Sequence, residues 1–161
     1  MTEPLDRLRE LGYDLPPAPA PMASYVPTRL VPLGSDRALL YVAGQVAIRD
    51  GKLMTGRVPE EVSIEQAQEA ARVCALNILA QIESAAGLER VEQIAQVTGW
   101  VLSSDGFGQQ PEVINAASEL IGQVLGEPGK HTRAAVGANA LPRNVTVEIA
   151  ATVVVRTNSS N

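Results

Sequence analysis

The chain predicts an α+β domain, an antiparallel-rich mixed sheet with two helices packed on one face. Residues 131–155 hold two runs of small and apolar residues, each with one interior charge, and both read as β-strands. Residues 64–85 and 111–125 repeat apolar side chains at steps of three and four between start and stop signals, as amphipathic helices do. Strand-like runs before and between those helices complete the order ββαβαββ, which keeps the helices separate from most strand pairs.

Residues 1–15 place Leu5, Leu8 and Leu11 at loose helical spacing, and the run Leu15-Pro16-Pro17-Ala18-Pro19-Ala20-Pro21 then stops any helix. Residues 1–20 therefore read as an arm and a stiff tether, residues 21–157 as a single domain, and residues 158–161 as a polar tail expected to fray. Strands are expected over Thr28 to Leu33 and Ala38 to Ile48, joined by a hairpin turn at Gly34-Ser35-Asp36. A loop runs through Asp50-Gly51-Lys52 and Gly56 to Ser63-Ile64-Glu65-Gln66, whose hydroxyl and amide suit a reciprocal helix cap. The helix that follows carries Ala67, Ala71, Cys74, Ile78, Ile82 and Ala85 on one stripe and stops at Gly87. Its many alanines predict close approach to the sheet. A strand over Ile94 to Ser103 comes next. Pro111 opens the second helix, with Val113, Ala117, Leu120 and Val124 as its apolar stripe before Gly126.

In the last strand Val145, Val147, Ile149, Ala151, Val153 and Val155 share one face, and Thr146, Glu148, Ala150, Thr152 and Val154 share the other. Glu148 thus points away from the most apolar face. Two helices cover only one face of a sheet, so the apolar content of the second face predicts contact with another subunit. The turn at Leu141-Pro142-Arg143-Asn144 is expected to pair the last two strands antiparallel, bringing Arg133 and Glu148 onto or near one site. A partly buried arginine needs an anion. That anion is Glu148, in a structural salt bridge, a carboxylate ligand, or both in sequence, and a planar guanidinium matches a carboxylate with two parallel hydrogen bonds.

Bulk properties narrow the function. The 161 residues suffice for one core, and 45% hydrophobic content with net charge -5 and pI near 4.9 describes a soluble globular protein without an electrostatic footprint for nucleic acid. Aromatics at 3% also leave little for base stacking. No run approaches the ~18 apolar residues of a membrane span, and the N-terminus carries Glu3, Asp6, Arg7 and Arg9 rather than a secretory apolar region, so a cytoplasmic protein is expected. The single Cys74 excludes an internal disulfide and a cysteine-built metal site, and its helical setting reads as buried filler. His131 lacks the partners of a catalytic triad or a metal site, Trp100 reads as core or interface, and Gly106-Phe107-Gly108 is too short for a phosphate loop.

Four pieces of the chain occur in the order of a known family. They are Leu40-Tyr41-Val42-Ala43-Gly44-Gln45, Thr55-Gly56, Val113-Ile114-Asn115, and Arg133 followed by Leu141-Pro142 and Val145-Thr146-Val147-Glu148-Ile149. With Arg133 and Glu148 fifteen positions apart, residues 20–157 resemble the Rid family, the reactive intermediate deaminases once called YjgF proteins. The resemblance implies a chorismate-mutase-like fold, a homotrimer with a ligand cleft at each subunit interface, and hydrolysis of small 2-imino acids or enamines to 2-keto acids and ammonia. It implies that Arg133 holds a small carboxylate-bearing metabolite and that Glu148 positions or deprotonates water. Tyr25, Gly44, Asn115 and Ala135 are the further binding residues it suggests, with no cofactor, no metal, no nucleic acid and no membrane partner.

Departures accompany the matches. Ala43 and Ala135 stand where archetypal members carry serine and cysteine, so two polar pocket groups are gone. Tyr25 lies several residues farther from Gly44 than its counterpart, and one extra residue separates Asn115 from Arg133. A trimer that binds a small carboxylate metabolite, or a protein partner, without turning anything over is therefore the alternative.

Overall fold

A computed structural model describes residues 3–157. The expected tail at 158–161 lies outside the described residues. The order is α1 (Pro4–Glu10), β1 (Thr28–Gly34), β2 (Arg37–Val46), β3 (Ile48–Arg49), β4 (Lys52–Leu53), α2 (Ile64–Ala85), β5 (Val91–Leu102), α3 (Gln110–Leu125), β6 (Thr132–Ala138) and β7 (Val147–Arg156). Five strands form one sheet in the order β1-β2-β7-β5-β6; only the β5-β6 pair is parallel. Strands β3 and β4 form a separate short hairpin where the sequence suggested a loop, and β2 stops at Val46, two residues before the expected Ile48.

Local signals explain most elements. Ser35 and Asp36, both at positive φ, form the β1-β2 turn. Ser63 accepts from the Gln66 amide while the Gln66 side chain accepts from the Ser63 amide, closing the capping box that starts α2. The α2 and α3 helices pack on each other and cover one sheet face. That face is the core: Leu40, Val42, Val97, Val147, Ile149 and Val153 are all buried beneath Ile78, Ile82, Ile114 and Ile121. Gly99 permits the fit, since a Cβ there would lie 2.6 Å from Ile114 Cδ1. The alternation expected for β7 is present, with Glu148 on the uncovered face.

The expected pairing of the last two strands is not observed. Strand β5 lies between β6 and β7, with Val97 level with Arg133 on one side and Ala151 on the other. The Pro142–Asn144 segment is a 3-10 turn in which Arg143 and Asn144 take positive φ, so the chain crosses over β5 rather than doubling back as a hairpin. Helix α3 connects β5 to β6 as a crossover, which makes a parallel pair the natural product.

The arm is docked on the domain. Leu8, 1% exposed, belongs to the hydrophobic core, and Arg7 Nε donates to Val124 O at 2.6 Å, fastening α1 to the end of α3. Replacing Leu8 with alanine is expected to cost about 2–4 kcal/mol, measured by denaturant unfolding at fixed protein concentration. A loss below ~0.5 kcal/mol would mean that the arm is detached in solution.

Candidate functional site

The sequence-derived candidates fall into two groups on opposite faces of the sheet. The first surrounds Glu148. Strand β2 bulges between Val42 and Gln45 where it passes β7, and Gly44 sits in that bulge directly against the Glu148 carboxylate. A Cβ at Gly44 would collide with Glu148 Oε1, so any other residue there would push the carboxylate from its present position. Glu148 has no hydrogen-bond or ion-pair partner among the described residues, and desolvation by burial raises its pKa above the ordinary carboxylate value.

A layer of amides supports the bulge. Gln45, 6% exposed, donates to Ala43 O at 2.9 Å and accepts from Gln81 Nε2 at 3.3 Å. Gln81, 3% exposed, also donates to Pro19 O at 2.7 Å, tying the arm to the same helix. One turn earlier Asn77 Nδ2 donates to Val46 O and Ile48 O at 3.2 and 3.1 Å. These bonds satisfy buried carbonyls at the irregular end of β2 and hold the backbone beside Glu148 in place. Cys74 lies beneath, fully buried, its thiol pKa pushed well above the ordinary value by burial and by the Glu148 charge; it is an inert packing residue.

Glu148, Gly44 and Tyr25 line one groove of about 1440 Å³. Its other wall is the arm, including Leu15, Pro16, Pro17 and Met22. Arg143, at φ 54, lines it as well and has no hydrogen-bond or ion-pair partner among the described residues. Arg49, another lining residue, is paired with Glu69 at 2.5 Å.

The second group surrounds Arg133 on edge strand β6, facing α3. The guanidinium donates to Asn115 Oδ1 at 2.8 Å, Ser118 Oγ at 3.2 Å and Pro111 O at 3.4 Å. Ala135 follows on the same side, paired in register with Gly99. Behind Arg133, His131 Nδ1 lies 2.7 Å from Gly129 O and Nε2 lies 2.9 Å from Ser118 Oγ. A carbonyl only accepts, so Nδ1 carries the proton; in the neutral ring Nε2 then accepts from the Ser118 hydroxyl. The hydroxyl's lone pairs remain for Arg133. His131 and Ser118 thereby hold the arginine from behind.

Arg133 and Glu148 do not meet within the protomer. Two strand spacings and three residues separate them, about 10 Å in each direction, and their side chains leave opposite faces. This excludes the intramolecular salt bridge left open by the sequence reading. Both charges are left without a charged partner among the described residues. Sequence reasoning quoted Asn115, which the structure sets against Arg133, and Gln45 within the motif ending the second strand, but did not single out Ser118 or Gln81. Its available signal was Asn77 and Gln81, two amides four residues apart on a helix otherwise apolar at its centre.

A mostly antiparallel five-stranded sheet covered by two helices, with an arginine and a glutamate on its edge and open faces, defines an α+β protein of the YjgF type. The chain belongs to the family described as Endoribonuclease L-PSP, also called the YjgF or Rid family, whose family model matches residues 16–155. Protein TCP17 of Trypanosoma cruzi is 40% identical over 149 residues, covering 91% of this chain and 90% of that one. The crystal structure of Atu1372 from Agrobacterium tumefaciens, a protein of unknown function, is similar with a TM-score of 0.83 at 44% identity, covering 94% of this chain and 92% of that one. The YjgF gene product of E. coli is similar with a TM-score of 0.56 at 27% identity, covering 85% of this chain and 92% of that one. Among the described residues no cluster of three or more His, Cys, Asp or Glu is arranged to hold a metal ion, and no helix is long and apolar enough to cross a membrane.

Proposed function

We propose that this chain hydrolyses small 2-imino acids, or their enamine tautomers, to 2-keto acids and ammonia at sites formed where two copies meet. The carrying observation is the half-buried, unpartnered Glu148 carboxylate beside Gly44 in an open groove, with Arg133 held ready on a distant edge of the sheet. Each protomer then offers two half-sites, and a neighbour supplies the missing half. The sheet face opposite the helices supports association, because Val31, Tyr41 and Val136 on it are exposed. A closed ring of three such heterologous contacts would complete three sites.

In this mechanism Arg133 grips the substrate carboxylate through its fork, with Asn115 and Ser118 fixing the guanidinium plane. Tyr25, Gly44 and Ala135 line the cleft. Glu148 accepts a proton from water as its oxygen attacks the C=N carbon, and the nitrogen takes up a proton to give a carbinolamine. Collapse to the keto acid breaks the C–N bond, and ammonia carries away the nitrogen. The imine is already electrophilic, so positioning and a partly desolvated base account for the acceleration.

The test is ammonia release from freshly generated 2-iminopropionate. Acceleration of at least ~10-fold over buffer is expected from a positioned base; none, where a known imine deaminase in the same assay is active, would overturn the reading. Ala43 and Ala135, each lacking a polar side chain, favour one rival, a trimer that binds a small carboxylate without turnover. Calorimetric binding of a keto acid in the absence of any catalysis would select that rival.

A further inference from the structure

The groove over Glu148 is far larger than the proposed chemistry needs. Pockets of ~300–1,000 Å³ enclose drug-sized ligands, and in the single protomer, before a neighbour covers its open side, this one measures about 1440 Å³. A three-carbon imino acid would occupy a small corner of it. The remaining space lies along the arm, whose Leu15, Pro16, Pro17, Met22 and Tyr25 turn apolar surface toward it. Met22 and Tyr25 are 45% and 46% exposed, so a large part of each is free to be covered by a ligand.

The wall is built to keep its shape. Prolines restrict the backbone of residues 16–21, and the carbonyl of Pro19 is held by Gln81, the same amide that supports the bulge through Gln45. On the far side, α1 is anchored in the core through Leu8. The wall and the Glu148 end of the groove are thus tied to one side chain of α2, and their spacing is set by that link.

Charge narrows the occupant. Arg49 and Glu69 neutralise each other, which leaves Asp14, Asp50 and Glu148 against Arg143 among the lining residues. An acidic side chain would meet a net negative lining. An apolar one would gain contact with the arm.

We infer that the groove is the side-chain subsite of the reaction proposed above, and that it selects 2-imino acids with large apolar side chains, such as those derived from leucine or phenylalanine, over the three-carbon compound. The inference rests on the hydrolytic reading for its chemistry but on the groove for its selectivity. Filling an apolar pocket discriminates by ~10- to 200-fold per feature.

The experiment compares kcat/KM of the full chain for imines generated from alanine, leucine, phenylalanine and arginine, beside calorimetric binding of pyruvate and 4-methyl-2-oxopentanoate. The leucine- and phenylalanine-derived imines are expected to exceed the alanine-derived one by at least ~10-fold, and Met22→Ser to shrink that ratio by about 5-fold. Equal or faster turnover of the alanine- or arginine-derived imine would overturn the subsite while leaving the hydrolase reading intact. If no imine is turned over yet 4-methyl-2-oxopentanoate binds at least tenfold more tightly than pyruvate, the subsite stands and hydrolysis falls. No preference in either measurement overturns the subsite.

Discussion

Replacing Arg133 with alanine is expected to lower kcat/KM for imine hydrolysis by 10²- to 10³-fold, about 3–4 kcal/mol of transition-state binding. Its three partners, Asn115, Ser118 and the Pro111 carbonyl, are neutral acceptors, so no carboxylate among the described residues answers its charge. A bound carboxylate would supply the missing anion with charge-assisted bonds, about twice as strong as neutral ones. Arg133→Lys keeps the charge but loses the fork and is expected to recover only about tenfold of the loss. Steady-state kinetics on the three proteins, with thermal melts to verify folding, check the expectation. Equal activity in the alanine variant would remove Arg133 from the site.

Glu148→Gln is expected to lower kcat by 10²- to 10⁴-fold, the range attributed to a positioned acid or base. Its pH dependence is the sharper readout. Burial raises the Glu148 pKa, so the active carboxylate is lost as pH falls through a value above the ~4.3 of a free glutamate. The wild-type kcat should therefore show an acid limb displaced upward, and the glutamine variant should lack it. Stability runs the other way. Below the unfolded-state pKa the acid is protonated in both states and costs nothing; as pH rises through the folded-state pKa, an unpaired charge must be held half-buried and stability falls. The glutamine variant should melt no lower than wild type at neutral pH, a separation of stability from activity that mere structural damage would not produce.

Much of this was legible locally. The Ser63 capping box, the Pro111 start of α3, the buried Cys74 and the alternation around Glu148 each depend on residues within a few positions, where side-chain chemistry determines geometry. The pairing of β6 with β5 was not legible, because Leu141-Pro142-Arg143-Asn144 looks like a hairpin turn and only tertiary packing shows that β5 occupies the space between. The docking of the arm was equally hidden. The apolar stripe of α2 reports one face, whereas Val73, Leu76, Asn77 and Gln81 are also buried or line the groove beneath the arm. As for the candidate site, the sequence singled out Arg133 and Glu148 but not their partition between two faces, since a fifteen-residue interval does not reveal which strand intervenes.

In the proposed site one copy supplies Glu148 and another supplies Arg133. Co-expressing Arg133→Ala and Glu148→Gln subunits with distinct tags and purifying the mixed oligomer tests it directly. Each variant alone should be nearly inactive. Every mixed ring of three should then hold one restored site in three, pairing an intact Glu148 from one copy with an intact Arg133 from its neighbour. Imine hydrolysis in the mixed oligomer no greater than in the separate variants would contradict the shared site.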